Sequence, residues 1–385
     1  VIDEAELSRL WTPEQIGVIR AIDKAAEQLR ASLKGRPKEE ADERVANFGW
    51  DALLQQSKTE EEFIQSWFKI RVEDQGNPLV TIKFNYGQKV LHQHIQRMER
   101  EKKPVRILVL KARRLGFSTF VQMYLTKRVL TQPMFRCAVI AHNKEPAMEL
   151  FGMSSRVVDM LPFKPAVKTD RRDEIQTSKG GKYTVVTANN DQVTRGLGVN
   201  WLHLSEFAFY ENAEVVHDAV MQTVSRKPGT GIIIESTANG MDNLFYELWA
   251  KAERGENDWF PLFVPWWQGA ENRMEVPEDL TERVLAALDE DERYAMKQYK
   301  LGIDQMAWLL WVRRNNCRNN ADIRKQEYPS FSMEAFLSSG RPVFDQRRIE
   351  ELRRKCTLPY FQGHLVWSQN GRQFPNRNTS TVAQP

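Results

Sequence analysis

The chain has 385 residues, 41% of them apolar, and its 55 Lys and Arg face 51 Asp and Glu for a net charge of +4. That length supports one large domain with appendages, no apolar run approaches the roughly 20 residues that span a bilayer, and the acidic start Val1-Ile-Asp-Glu-Ala has no signal-peptide character. The expectation is a cytosolic globular protein without membrane contact. Its cysteines, Cys137, Cys317 and Cys356, are widely spaced and expected to be reduced and structural.

From Glu4 to Phe68 the chain is charge-rich, with apolar residues at helical spacing (Ile16, Val18, Ile19, Ile22, then Phe63, Ile64, Trp67), which predicts a helical N-terminal appendage. Gly35-Arg-Pro-Lys should break it and Gly76-Asn-Pro should end it. From about Pro78 to Phe263 the pattern changes to short β-rich runs alternating with amphipathic stretches. Strands are predicted at Val105–Leu110, Cys137–Ala141, Tyr183–Thr187, Trp201–Leu204 and Ile232–Glu235, and helices near Thr119–Leu130, Glu145–Met160, Asn212–Val224 and Asn243–Ala252. Such alternation implies an α/β fold, a mainly parallel sheet covered by helices on both faces. Ligands then gather at the carboxyl ends of the strands. After Pro265-Trp-Trp, a helical region from roughly Glu278 to Lys325 reads as a lid or linker, and beyond Leu358 the chain turns polar.

Three segments carry chemistry. The first, Ile107-Leu-Val-Leu-Lys-Ala-Arg-Arg-Leu-Gly-Phe-Ser-Thr119, reads as a strand, a phosphate-binding loop and the start of a helix. In the standard G-x-x-x-x-G-K-[ST] loop, backbone N–H groups cradle phosphates, a lysine neutralises them and a hydroxyl ligates Mg²⁺. Here Gly116 is the second glycine and Ser118 the hydroxyl, followed by Thr119; Phe117 occupies the lysine position and Lys111 replaces the first glycine. An ammonium acts as a flexible point charge, so it can serve from the other end of the loop. Alone, the segment fits a basic strand-to-helix turn with no ligand better; its partners downstream favour the nucleotide.

The second segment, Asn200-Trp-Leu-His-Leu-Ser-Glu-Phe207, ends a strand at Ser205-Glu206, where a phosphate-loop ATPase usually has Asp-Glu. Glu206 would orient or deprotonate the attacking water, and Ser205 would contact Mg²⁺ only as a neutral ligand or through a water. The alternative is a strand-end glutamate facing solvent. The third, Gly231-Ile-Ile-Ile-Glu-Ser-Thr-Ala-Asn-Gly240, should lie beside the loop strand. That places Ser236, Thr237 and Asn239 near the γ-phosphate; otherwise it is a strand end and an Asn-Gly turn.

In this order the three segments resemble the ATPase domain of large terminase subunits of tailed bacteriophages, a likeness extending from about Phe84 to Phe344. The displaced lysine and the Ser-Glu pair both occur within that family. The resemblance implies a phosphate-loop ATPase of the ASCE type that binds ATP and Mg²⁺ and drives double-stranded DNA into a procapsid. Its partners would be a portal protein, a small terminase subunit and further copies of itself in a ring. It would work in the host cytoplasm, transiently docked on the procapsid. The division expected is a helical appendage at 1–77, the ATPase core at 78–267, a lid or linker at 268–344 and a polar segment at 345–385. Gln88 matches the glutamine that reads adenine, since an amide offers both a donor and an acceptor. Arg195 matches an arginine finger acting on a neighbouring subunit's ATP, with Arg113 and Arg114 as alternative phosphate-contacting arginines. Relatives continue into an RNase H-like nuclease with clustered aspartates. No such cluster is present here, and Asp345, Glu350 and Glu351 are a poor substitute, so no DNA cleavage is expected.

Two basic clusters are candidates for DNA phosphates: Arg97, Arg100, Lys102, Lys103 and Arg106, and then Arg313, Arg314, Arg318, Arg324 and Lys325. Two other functions remain open at this level, a helicase or remodelling ATPase with the same core and a non-hydrolysing DNA-binding assembly protein with a decayed ATP site. Phe117 and Ser205, which both remove charge from the site, favour the latter.

Overall fold

The computed structural model describes residues 4–72, 79–171, 173–189 and 198–336. Four helices come first: α1 (Glu4–Leu10), α2 (Pro13–Ser32), α3 (Lys38–Leu54) and α4 (Glu60–Trp67). The start of α2 is set locally, by Pro13 at its first position and a reciprocal capping box between Thr12 and Gln15. The chain breaks between α2 and α3 at the expected Gly35-Arg-Pro-Lys, whereas the expected terminator Gly76-Asn-Pro lies outside the described residues. Strands β1 (Lys69–Arg71) and β2 (Leu79–Thr81) then form a small antiparallel ribbon.

The main body follows as α5 (Tyr86–Arg100), β3 (Val105–Lys111), α6 (Phe117–Thr131), β4 (Arg136–Ala141), α7 (Lys144–Met160), β5 (Val167–Arg171), β6 (Glu174–Thr177), β7 (Lys182–Thr187), β8 (Trp201–Ser205), α8 (Ala213–Thr223), β9 (Gly231–Ser236), α9 (Leu244–Glu253) and β10 (Phe260–Val264). The five predicted strands and four predicted helices are all present. Among the described residues, eight strands make one sheet in the order β10-β3-β9-β8-β4-β7-β6-β5, parallel from β10 to β7 and antiparallel beyond it. Sequence periodicity gave no sign of β5, β6 or β10. The first two are short and polar, and β10 carries Pro261, which a sheet tolerates at an edge.

Alternation along the central strands assigns each face its own core. Ile107, Val109, Cys137, Val139, Trp201 and Ile233 join the cluster that includes α6 and the N-terminal helices. Leu108, Leu110, Ala138, Ile140, Leu202, Leu204, Ile232 and Ile234 join a second cluster with α8 and α9. Helix α6 is buried almost all round. The N-terminal helices cover its outer side: Trp50 on α3, 1% exposed, donates from Nε1 to the Leu130 carbonyl at 3.1 Å. Truncating a buried ring of this kind costs about 3–5 kcal/mol.

The C-terminal helices are α10 (Thr281–Ala287), α11 (Glu290–Tyr299), α12 (Ile303–Asn315), α13 (Ala321–Glu327) and α14 (Ser332–Phe336), of which α11 and α12 meet the two tryptophans that follow β10 while Phe336 of α14 packs on α9. Trp266 stacks on Trp308 with ring centres 5.5 Å apart, and Trp267 on Tyr299 at 5.3 Å. Beneath them, the fully buried Arg324 pairs with Glu334 at 2.6 Å. Among the described residues no helix is long and apolar enough to cross a membrane.

Candidate functional site

Strands β3, β9, β8 and β4 run parallel and end at one edge of the sheet. The three chemistry-bearing segments therefore meet there. The third does lie beside the loop strand, with Leu110 opposite Ser236. After Lys111 the chain turns through residues 112–116 into α6. Arg114 (φ 62°) and Gly116 (φ 68°) both adopt the left-handed conformation. The turn needs that glycine: a Cβ there would also come within 2.8 Å of Gln88 Nε2. No side chain caps α6, so its first N–H groups are open to an anion.

Lys111 projects into this edge, 6% exposed, and donates to Glu206 Oε1 at 2.9 Å while Glu235 Oε2 lies 3.6 Å away. Burial alone would lower the pKa of its ammonium, but the two carboxylates outweigh it and raise it well above the ordinary lysine value. Glu206 follows β8 in a left-handed conformation (φ 55°), a strained arrangement for a non-glycine residue. Its Oε2 faces the Thr237 N–H at 3.3 Å and the Ser236 hydroxyl at 3.5 Å. Ser236 Oγ in turn accepts from the Ala208 N–H at 3.2 Å, and Asn239 donates to the Ala208 carbonyl at 3.1 Å. Lys111, Glu206, Ser236 and Thr237 thus form one contact set, joined to Asn239 through Ala208.

The residue that sequence reading overlooked is Glu235, on β9 directly opposite Ser205 on β8 and wholly buried. Its Oε1 accepts from the Ser118 hydroxyl and, at 3.1 Å, from the Ser205 hydroxyl, and His203 Nε2 stands 3.3 Å from it. Burial works to raise its pKa, but Lys111, His203 and Ser118 together hold it well below the usual carboxylate range. Behind it, Gln122 Nε2 lies 3.0 Å from His203 Nδ1, and Gln122 Oε1 accepts from Tyr183 OH at 2.5 Å. Since the amide oxygen is taken by Tyr183, its nitrogen donates to Nδ1, and His203 carries its proton on Nε2, towards Glu235. A signal was present in the sequence. Trp201, His203 and Ser205 share one face of β8, as Ile233 and Glu235 share one face of β9, so polar residues break two buried strands on the same parity.

Other expected residues have definite places. Phe117 is 1% exposed, its ring lying over Gly87, which leaves its backbone N–H as the group it could offer a phosphate. Gln88 is buried in the capping box of α5. Its Oε1 accepts from the Asn85 N–H at 3.0 Å and its Nε2 donates to the Gly116 carbonyl at 2.7 Å, so it braces the loop. Arg113 pairs with Glu327 at 3.0 Å, while its own N–H donates to the Glu327 carbonyl, tying the loop to α13. Arg114 is exposed, and Thr119 is half-buried with Oγ1 4.0 Å from Met153 Sδ. Arg195 lies outside the described residues.

Both basic clusters shrink in the folded chain. Arg106 is 2% exposed and donates to the carbonyls of Val105, Val224 and Ser225. Arg324 is buried against Glu334, Arg313 pairs with Glu292 at 2.6 Å and Lys325 with Asp291 at 2.6 Å. These cations hold the fold together, leaving Arg97, Arg100, Lys102 and Lys103 exposed in the first cluster and Arg314 and Arg318 in the second.

No family model matches the chain. Solved structures similar to it include the HK97 bacteriophage large terminase, 15% identical over 70% of this chain and 55% of that one, with a TM-score of 0.48. The Thermus phage P74-26 large terminase ATPase domain is 17% identical over 64% of this chain and 93% of that one, with a TM-score of 0.42. The Sulfolobus solfataricus SWI2/SNF2 ATPase core in complex with dsDNA is 11% identical over 60% and 58%, with a TM-score of 0.34. The chain spans about half the length of the HK97 protein.

Proposed function

We propose that this chain is the ATP-hydrolysing motor part of a phage large terminase and translocates double-stranded DNA into a procapsid. One observation carries the reading: Lys111, Ser118 and Glu206, from segments up to 95 residues apart in sequence, converge at the carboxyl edge of a parallel sheet beside an uncapped helix N-terminus. ATP would place its phosphates over Gly116 and the first turn of α6, where Lys111 and the N–H groups of Phe117, Ser118 and Thr119 neutralise them. Arg113 and Arg114, at the rim of the loop, would supply further positive charge.

Lys111 is shared between Glu206 and Glu235, so an arriving phosphate competes with Glu206 for the ammonium. Once Lys111 turns to the phosphate, Glu206 Oε1 is free to take a proton from water, while Ser236 and Thr237 hold the other oxygen. Movement of Ser236, Thr237 and Asn239 on loss of the γ-phosphate would pass through the Trp266–Trp308 stack to the helices of 268–344, which act as the lid on the core at 78–267. The hydroxyls of Ser118 and Ser205 and the carboxylate of Glu235 are hard oxygen donors suited to Mg²⁺, and Glu235 Oε2 is buried with no hydrogen-bond donor among the described residues. Bound there, Mg²⁺ would neutralise charge on the β- and γ-phosphate oxygens.

The remaining roles follow the same reading. Arg195 completes the site of an adjacent copy in a ring, Gln88 reads adenine if the base displaces its contact with Gly116, and the portal protein and small terminase subunit are the assembly partners. The appendage at 1–77 precedes the motor in sequence, and the motor acts in the host cytoplasm while docked on the procapsid. The test is Mg²⁺-dependent ATP hydrolysis with and without double-stranded DNA. Glu206→Gln should abolish turnover and leave ATP binding intact, and undiminished turnover would remove Glu206 from its role.

A further inference from the structure

The sequence pairs the phosphate loop with Ser205-Glu206, which leaves the cation site without the carboxylate that such loops normally use. The fold places one there from a different strand. Ser205 and Glu235 are direct partners across β8 and β9, and both side chains point to the α6 face, as the contacts to Ser118 and His203 require. From its strand Glu235 reaches the Ser118 hydroxyl, the group that would ligate the cation. Ser205 carries one side-chain oxygen, and its hydrogen is engaged by Glu235 at 3.1 Å.

The two oxygens of Glu235 have different surroundings. Oε1 is crowded by the hydroxyls of Ser118 and Ser205 and by the Nε2–H of His203. Among the described residues Oε2 receives no hydrogen bond although it is fully buried, and Lys111 Nζ lies 3.6 Å from it. A buried carboxylate oxygen without a donor is costly to maintain, and here the charge opposite it belongs to the residue that ATP draws away. The Tyr183–Gln122–His203 chain holds the imidazole in place behind the carboxylate, with Nε2 3.3 Å from Oε1.

We propose that Glu235 is the anionic ligand of the divalent cation in this site, a carboxylate transposed by one strand from the position held here by Ser205, with Oε2 facing the cation. This rests on the ATPase reading above. It also removes one argument for a decayed site, because the charge missing at Ser205 is present at Glu235.

The test measures binding rather than turnover. A fluorescent ATP analogue is titrated into the 385-residue chain in EDTA and then at rising Mn²⁺, with bound Mn²⁺ read directly by electron paramagnetic resonance. In Glu235→Gln the Mn²⁺ concentration for half-maximal effect should rise about tenfold or more, while affinity in EDTA should not fall, because the substitution removes a carboxylate that competes for Lys111. Ser205→Ala, which removes only a neutral hydroxyl, should raise the Mn²⁺ requirement much less than Glu235→Gln does. The double variant Ser205→Asp with Glu235→Gln, which moves the charge back across the strand pair, should recover most of it. A wild-type Mn²⁺ requirement in Glu235→Gln, or an equally large loss in Ser205→Ala, would overturn the assignment while leaving the ATPase reading standing. Should Glu235→Gln alone fail to fold for want of the buried charge beside Lys111, the double variant restores that charge from the paired strand position: a near-wild-type Mn²⁺ requirement there supports the transposition, and a rise of about tenfold or more in Ser205→Ala refutes it. A wild-type chain that binds no nucleotide under any condition would remove the ATPase reading and the Glu235 assignment with it.

Discussion

Glu60 lends itself to a quantitative test because its charge is held far from the site, where α4 meets α5 and α6. It lies in the first turn of α4, 3.5 Å from both Lys127 Nζ and Arg128 Nε and 3.8 Å from His92 Nε2. Arg128 also grips Glu99 through two hydrogen bonds of 2.6 and 2.9 Å and lies over the rings of Tyr124 and Trp201. Burial works to raise the pKa of Glu60, but His92, Arg128 and Lys127 prevail and bring it from 4.5 to about 2. A depressed carboxylate stabilises the fold above its unfolded pKa and loses that contribution as pH falls towards the folded one. The fall is worth about 3 kcal/mol at neutral pH, and about 2 kcal/mol of it should be gone by about pH 3. Urea unfolding followed by tryptophan fluorescence, for wild type and Glu60→Gln, isolates this residue from the other carboxylates. The stability gap between the two should narrow by that amount between about pH 7 and pH 3. A gap that stays constant, or widens in acid, would refute the account.

Arg324→Met should destabilise the chain by about 3–5 kcal/mol, because Glu334 is left buried without its cation while Glu292 keeps Arg313; a loss below about 1 kcal/mol in chemical denaturation would show that the pair contributes little. Gly116→Ala should weaken nucleotide binding in EDTA and lower stability by about 1–3 kcal/mol, since its backbone is left-handed and the new methyl would meet Gln88. Unchanged binding by the fluorescent analogue would mean that the loop adopts another form with ATP. For double-stranded DNA, Arg97→Gln or Arg100→Gln should reduce the slope of log affinity against log salt by about 0.9 each. Arg106→Gln, whose guanidinium is buried on backbone carbonyls, should leave the slope unchanged while lowering stability; a reduced slope there would restore it to the DNA-facing set.

Much of the architecture was open to reading along the chain, because its central strands are buried on both faces and so appear as unbroken apolar runs. Ile107 to Leu110 and Ile232 to Ile234 announce strands wherever they fold, and the Gly116-Phe-Ser-Thr turn announces the helix after the first of them. The antiparallel end of the sheet lacked such a signal. Thr169 and Glu174 to Thr177 have too few apolar residues to mark strands, and Pro261 argued against a strand that survives only because it lies at the edge. Charge misled for a related reason. Arg106, Arg313, Arg324 and Lys325 look like surface cations in one dimension, yet their partners are backbone carbonyls and carboxylates brought to them by other elements.

By itself the sequence determined the α/β alternation, the position of the phosphate loop and the three segments that had to meet, since strand propensity, helix periodicity and turn chemistry act over a few neighbouring residues. Tertiary structure alone decided that Glu235 faces Ser205 and reaches Ser118, that Lys111 is shared by two carboxylates, and that His203 turns its proton towards the site. Those facts depend on register between strands 30 residues apart and on a helix crossing them. Register is set by how two apolar faces pack on opposite sides of the sheet, a condition that no local stretch of residues contains.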